Sequence, residues 1–282
     1  MAEGKSTMTF REAFQIGEKI LGMAHIEDAK NDAWLLLAFA CKIDRTYFYV
    51  HMDEDLTEEQ KREYESVIKK RTERVPLQYI TGEQDFMGLP FKVNSAVLIP
   101  RQDTETLVEE ALKRIKPGMK VLDMCTGSGC ILISILKNVT GIEGLGCDIS
   151  KQALIVAKEN AKLNNVFASF ERSDLFENVN EEFDVIVSNP PYIPTEVISG
   201  LMPEVSEFEP FQALDGREDG LHFYRRIISE CKPYLKEGGY LLFEIGHDQG
   251  ESVSELMKEG GFSNVSVVRD LAGNNRVVIG GL

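Results

Sequence analysis

The chain has 282 residues, enough for one large domain and a small one. With 43% hydrophobic and 27% charged residues it has the composition of an ordinary globular protein, which argues against the disordered class. A formal net charge of −15 argues against a protein that grips a nucleic-acid backbone by bulk electrostatics, although it leaves room for a local basic patch.

The first six residues, Met-Ala-Glu-Gly-Lys-Ser, lack the apolar core of a secretory signal. The longest apolar run, Ala33 to Cys41, is too short to cross a bilayer as a helix. The five cysteines form no CxxC pair, and their odd number fits reduced thiols in a cytoplasmic protein. The four histidines are scattered without metal-ligand spacing, so no metal site is expected.

Residues 9–74 read as a small helical bundle. Thr9 is placed to cap a helix carrying Phe10, Phe14, Ile16 and Ile20. Asp28 is placed to cap a second helix, with Trp34, Leu35, Leu37, Ala38 and Cys41. Asp44 opens a short third helix. Thr57-Glu58-Glu59-Gln60 resembles a capping box, and the helix it opens runs through Tyr64, Val67 and Ile68 to about Arg74, before Pro76. That helix carries Lys61, Arg62, Lys69, Lys70, Arg71 and Arg74. The expectation is a solvated face; the alternative is contact with an acidic partner or RNA. From Gln78 to Pro100, apolar residues interleaved with Gly82, Gly88, Pro90 and Asn94 read as one or two β-hairpins connecting two domains.

Beyond Arg101 the pattern alternates. Strands are expected over 120–124, 142–147, 167–171, 183–188 and 240–245, with two more near Val265 and Val277. Helices are expected over 129–137, 151–163, 221–235 and about 249–258. Such alternation predicts an α/β fold with a parallel sheet covered by helices on both sides. The domains expected are 1–76, a helical bundle; 77–100, a hairpin connector; and 101–282, the sheet.

The first strand of that sheet runs into Asp123-Met124-Cys125-Thr126-Gly127-Ser128-Gly129, and a helix follows. Ligands of open α/β sheets sit at the carboxyl ends of the strands, where strand order reverses, and glycine there lets a ligand approach the backbone. The second strand ends at Cys147-Asp148, about twenty residues past Gly127, where an acid can accept both hydroxyls of a ribose. Ser150 can cap the following helix, which leaves Asp148 for that role. Asp174-Leu175, after the third strand, suits an adenine: Asp174 to accept from its amino group, Leu175 to pack on the ring.

The fourth strand ends in Ser188-Asn189-Pro190-Pro191-Tyr192. Two prolines fix the backbone and leave carbonyls bare, and the Asn189 side chain adds an acceptor oxygen. An amide or arylamine nitrogen is a poor nucleophile with two N–H donors. The Asn189 oxygen and the Pro190 carbonyl can accept one each, orienting the nitrogen and favouring the charge it develops during methyl transfer. The Tyr192 face can stack on the planar group, and no side-chain general base is required.

These segments resemble the class I S-adenosylmethionine methyltransferases that modify exocyclic or amide nitrogen. Further stretches narrow the resemblance to the release-factor glutamine N5-methyltransferases, the HemK/PrmC family. They are residues 76–82, 86–93 and 97–101, with Glu244-Ile245-Gly246 and Asn275-Arg276-Val277. The match covers nearly the whole chain and is least specific over residues 1–75. The resemblance implies a helical N-terminal domain that engages the release factor and a Rossmann-like catalytic sheet. It further implies methylation of the glutamine of a Gly-Gly-Gln loop, with S-adenosylhomocysteine as the other product. Cys125, Thr126, Gly127, Ser128, Gly129, Asp148, Asp174, Leu175 and Asn189 would bind the cofactor. Asn189, Pro190, Pro191 and Tyr192 would bind the glutamine, with Phe91 and Arg101 lining its pocket. A cytoplasmic monomer acting on peptide chain release factors is expected, with no membrane and no nucleic acid.

Two departures stand out. Cys125 occupies a place where the family usually has glycine, and Gln102-Asp103 replaces a more usual Pro-Glu. The competing reading is a methyltransferase acting on adenine N6 or guanine N2, since the same Asn-Pro-Pro-Tyr loop serves a flipped base. Residues 1–82 hold 12 basic and 15 acidic residues and the remainder 19 and 31, so neither part is basic. A non-catalytic sensor has no use for a nucleophile-orienting loop. A nicotinamide dehydrogenase would want the third glycine that is missing here.

Overall fold

The computed structural model describes residues 8–282, so the reading of residues 1–6 lies outside the described residues. The chain forms two compact units. One comprises the residues up to Gly82 together with Pro203–Phe208, the other Glu83–Met202 together with Glu209–Leu282.

The first unit holds α1 (Phe10–Met23), α2 (Ala29–Cys41), α3 (Arg45–His51), α4 (Glu58–Thr72) and α5 (Leu77–Thr81). Thr9 and Glu12 make a reciprocal capping box on α1, and Thr57 and Gln60 make another on α4. Asp44 caps α3 through Tyr47 N, whereas the Asp28 carboxylate caps nothing on α2. The interior is apolar, with Phe10, Leu21, Leu36, Leu37, Tyr64 and Val67.

The helix turn Pro203–Ser206 (α10 in chain order) enters this unit by way of Glu204. The buried Arg71 guanidinium bridges two carboxylates, at 2.7 Å from Asp32 and 2.9 Å from Glu204, and Arg74 approaches Glu204 at 2.7 Å. The expected solvated face of α4 is therefore corrected at these two arginines. Burial of Arg71 is tolerable because each charge has a partner.

The second unit opens with one hairpin, β1 (Glu83–Phe86) and β2 (Leu89–Lys92). Met87 and Gly88 have φ of +52° and +70°, the paired positive values of a type I′ turn. The connector expectation is narrowed: Leu77–Thr81 is helical, and no strand follows Lys92 before Lys120.

Seven strands form the main sheet: β3 (Lys120–Met124), β4 (Glu143–Asp148), β5 (Ser169–Arg172), β6 (Phe183–Ser188), β7 (Leu235–Glu244), β8 (Ser263–Arg269) and β9 (Asn275–Gly281). Their order is β5-β4-β3-β6-β7-β9-β8. The pairs from β5 to β7 are parallel and β9 runs antiparallel to both neighbours, so the sheet is not wholly parallel as expected. Alternation sorts the side chains into two cores. Leu122, Met124, Ile186 and Phe243 meet one face with α12 (His222–Glu230) and α13 (Gly250–Glu259). Val121, Val185, Val187 and Leu242 meet the other with α6 (Glu105–Leu112), α7 (Cys130–Asn138) and α8 (Lys151–Leu163). The helix expected to reach Leu235 stops at Glu230, because the Lys232–Tyr234 turn contains Pro233 and Leu235 already belongs to β7. The short helices α9 (Thr195–Ile198) and α11 (Phe211–Leu214) complete the unit. Among the described residues no helix is long and apolar enough to cross a membrane.

Arg71→Ala would take the cation from the buried Asp32 and leave Glu204 with Arg74, and is expected to destabilise the helical unit by about 3–5 kcal/mol. Trp34, the one tryptophan of the chain, packs on Phe48 at 5.3 Å in this unit. Urea unfolding followed by its fluorescence reads the change, and a loss under about 1 kcal/mol would mean the cluster is not stabilising.

Candidate active site

Strand order reverses between β3 and β6. The connection from β3 leads to β4 and β5 on one side, and that from β6 to β7 on the other. Register then sets the level of the ends. Met124 pairs with Cys147 on one side and with Ser188 on the other. The residues one step further, Cys125, Asp148 and Asn189, therefore stand side by side at the carboxyl edge, where a crevice opens. A cavity of about 280 Å³ lies there, entirely within the second unit.

Its floor is the turn after β3. The Asp123 carboxylate is fully buried and accepts from Thr126 Oγ1 (2.6 Å) and Leu132 N (3.3 Å), tying the turn to α7. Burial pushes the Asp123 carboxyl up to about 7 despite those bonds. Cys125 has φ +63°, so the position where glycine is usual does adopt the left-handed conformation that favours glycine. Its sulfur faces a buried setting that raises the thiol. Gly127 has φ +55° and lines the cavity, and a Cβ placed on it would meet no atom within 4 Å. Open space of this kind against bare backbone is a cradle in which a ligand can replace the missing side chain.

Asp148 spans the turn: Oδ2 accepts from Gly127 N at 2.9 Å and Oδ1 from Ser150 N at 2.8 Å. Ser150 caps α8 through Ala153 N, as the sequence suggested. Burial raises the Asp148 carboxyl and the backbone N–H groups oppose the rise. Each carboxylate oxygen has a further acceptor position. Asp174 also lines the cavity, but Arg226 Nη1 holds its Oδ1 at 2.8 Å, a partner unforeseen in the sequence. Leu175 and Phe223 supply an apolar wall beside it.

The loop after β6 divides. Asn189 and Pro191 line the cavity, and no described residue hydrogen-bonds the Asn189 side chain. Pro190 is buried. The Tyr192 ring packs against the core beneath the sheet rather than along the cavity, and burial raises its hydroxyl. The Tyr192 face, expected to stack on substrate, is not among the side chains that line the cavity. Phe91 is likewise corrected: it is fully buried, edge-on to Phe86 at 6.0 Å, and forms core rather than pocket wall. Gly129 is not at the cavity surface either. It has φ +79° at the start of α7, where a Cβ would press on Ala157 at 3.2 Å.

Arg101 does line the cavity, held at 2.6 Å by Glu209, whose side chain is 1% exposed. Asp215 accepts from Thr195 Oγ1 (2.5 Å) and pairs with Arg217 (3.0 Å). Phe211, Asp215 and Arg217 form a wall that the sequence reading missed, as it missed Glu209 behind Arg101. They lie in no motif, and Glu209 meets Arg101 across 108 positions of the chain. The shortened acid Asp103 reaches Arg276 at 3.0 Å.

Known proteins resemble the chain at every level. A family model described as "PrmC N-terminal domain" matches residues 12–82, and one described as "Methyltransferase small domain" matches residues 102–200. The release factor glutamine methyltransferase of Geobacter sulfurreducens is 40% identical over 281 residues, 99% of each chain. That of Thermodesulfovibrio yellowstonii is 42% identical over 254 residues, 88% of this chain and 91% of its own. In fold, a methyltransferase from Pyrococcus furiosus superposes with a TM-score of 0.53 at 18% identity, covering 69% of this chain and 89% of its own.

The buried Asp123 makes stability depend on pH. Its folded pKa, about 7, lies above the ordinary carboxylate value of about 4. The folded state therefore holds the proton more tightly, and its stability falls as pH rises from about 4 to about 7, then levels. Asp123→Asn is expected to flatten that part of the profile in urea titrations. An unchanged slope would assign the dependence to another group.

Proposed function

The chain belongs to the family of release factor glutamine methyltransferases, and from that premise we propose its reaction. It transfers a methyl group from S-adenosylmethionine to the side-chain amide nitrogen (N5) of the glutamine in the Gly-Gly-Gln loop of peptide chain release factors. The observation that carries this reading is the Asn189 side chain. It has no hydrogen-bond partner among the described residues and stands level with Asp148 and the turn after β3, in one cavity.

In this reading Cys125, Thr126, Gly127 and Ser128 line the cofactor, with Gly129 closing the turn behind them. Asp148 takes the ribose hydroxyls on its remaining acceptor positions, and Asp174 and Leu175 take the adenine. The open face of Gly127 supports the fit. When bound, S-adenosylmethionine supplies an electrophilic methyl group and leaves as S-adenosylhomocysteine.

The chain's own residues orient the nucleophile. Asn189 Oδ1 and the Pro190 carbonyl accept the two N–H groups of the glutamine amide. Preset acceptors favour the transition state because the nitrogen gains positive charge as its lone pair forms the new bond. The nitrogen then releases one proton to solvent water. Pro191 borders the amide, and Tyr192 anchors the loop. Arg101, already neutralised by Glu209, offers its remaining N–H groups to carbonyls of the substrate loop. The helical unit engages the release factor. The protein acts as a cytoplasmic monomer.

The test is methyl transfer from labelled S-adenosylmethionine to a release factor, to its loop Gln→Ala variant, and to bulk DNA or RNA. Label on the release factor that disappears with the glutamine is the expected result. Label on nucleic acid alone would overturn the substrate and keep the fold. Asn189→Ala is expected to abolish turnover while S-adenosylhomocysteine still binds; a normal rate would sink the loop mechanism. Asp148→Ala is expected to weaken S-adenosylhomocysteine binding by roughly 1.5–3 kcal/mol in calorimetry, the scale of charge-assisted hydrogen bonds. Unchanged affinity would refute the ribose assignment.

A further inference from the structure

Gln249 precedes α13, outside every segment assigned to the cofactor or the glutamine, and is buried. Its side-chain amide is engaged at both ends. Oε1 accepts from Gly246 N at 2.9 Å, and the Tyr224 hydroxyl, which donates to the Glu244 carbonyl at 2.8 Å, lies 3.4 Å from it. Nε2 donates to the Tyr192 carbonyl at 3.0 Å and to the Gly220 carbonyl at 3.4 Å. The orientation is unambiguous, because a backbone N–H can only donate and a carbonyl can only accept.

The same carbonyl is enclosed from another side. A Cβ on Gly220 would lie 2.3 Å from Tyr192 O, and one on Gly216 would lie 2.7 Å from Tyr192 C. Residues 193 and 215 pair as an isolated parallel bridge, with Ile193 N on Leu214 O at 3.0 Å and Gly216 N on Ile193 O at 2.8 Å. At the other end of the loop, Ser188 donates its hydroxyl to Met124 O at 2.6 Å. Between these anchors lie Asn189, Pro190 and Pro191, and the prolines have fixed φ. Holding Tyr192 O thus removes most of the freedom left to the loop.

We propose that Gln249 is a positioning residue for methyl transfer: its amide clamps the Tyr192 carbonyl and so sets where the Asn189 side chain and the Pro190 carbonyl point. The inference rests on the reading of that loop given above. It adds a residue which touches neither substrate nor cofactor but decides the geometry of the groups that do.

The test uses the full-length protein with Gln249→Met and Gln249→Glu. The methionine fills the space without a donor. Misplacement of about 1 Å can cost about a hundredfold in rate, so turnover is expected to fall roughly 10–100-fold at every pH. Affinity for S-adenosylhomocysteine should hold within about threefold, on the same positioning argument. The glutamate is the discriminating variant. Ionised, it turns an oxygen toward two carbonyls; protonated, it donates to Tyr192 O as the glutamine does. Its turnover relative to wild type at the same pH is expected to recover as pH falls.

Groups facing this position act on wild type and variant alike, so the ratio removes them. The Tyr192 and Tyr224 hydroxyls are raised by burial and stay neutral. The Glu244 carboxyl is pushed up to about 7 by burial, Arg276 lies beside Ile245, and Asp248 borders Gly246. Asp219, next to Gly220, is held down to about 2 by Arg225 and stays charged. Equal, pH-independent losses in both variants would reduce Gln249 to a packing role and overturn the proposal, as would a normal rate for either.

The carbon-13 carbonyl resonance of Tyr192 reads the hydrogen bond without any substrate. It is expected to move upfield in Gln249→Met, and a stationary resonance would overturn the clamp. Should the glutamate variant fail to fold, Gly220→Ala, whose methyl would meet both Tyr192 O and Gln249 Nε2, is expected to lower turnover in the same way; a normal rate there would count against the clamp. Wild-type protein that labels no release factor would refute the functional reading instead, and the resonance would still decide the clamp.

Discussion

The reversal of strand order between β3 and β6 is the constraint on which the site depends. Parallel strands entering from the same side end on the same edge, and the register that pairs Met124 with both Cys147 and Ser188 makes three ends level. A turn with left-handed residues, an aspartate and an asparagine are thereby brought side by side from places far apart in sequence. None of the three needs a long or flexible side chain to reach the others. The backbone does the placing, and rigid elements place groups more finely than loops do.

Charge around the cavity follows one pattern. Arg101 faces Glu209, Arg217 faces Asp215 and Arg226 faces Asp174. A cation already paired with a carboxylate has little net attraction for a phosphodiester, whose binding depends on unpaired Lys and Arg. The neutral amide of a glutamine suffers no such penalty. Asp148 faces backbone N–H groups instead of a cation, so its charge stays open to a ligand with hydroxyl donors. The electrostatics of the wall and the polarity of Asn189 thus favour the same kind of substrate.

Local signals carried much of this into the sequence. The strands over 120–124 and 183–188 are mostly apolar, as suits buried parallel strands, and the structure gives them the same bounds. Ser150, Asp44 and Thr57 cap helices because capping is decided within three residues. What was illegible depends on distance. The turns α9, α10 and α11 are four residues each, too short to announce themselves by periodicity. Phe91 read as a pocket aromatic because nothing local distinguishes a core ring from a lining one. Glu209 meets Arg101 across 108 positions, and Gln249 meets Tyr192 across 57. At Gln249 the sequence showed only a helix start.

The departures from the family pattern are resolved by the same geometry. A non-glycine residue in the left-handed region costs about 1–2 kcal/mol, and Cys125 bears that strain at φ +63°. The cost falls on stability and not on shape, because the backbone there keeps the conformation a glycine would take. Its side chain is small and packs against the core below the turn. Asp103, one methylene shorter than the usual glutamate, still reaches Arg276, whose guanidinium also meets Asp270 at 3.1 Å and the Ile245 carbonyl at 3.3 Å. Ile245 follows β7 in the chain and Gln249 is four residues further on. A shortened acid therefore leaves the arginine anchored by two other partners, and the strand end that carries Gln249 toward the loop after β6 keeps its support.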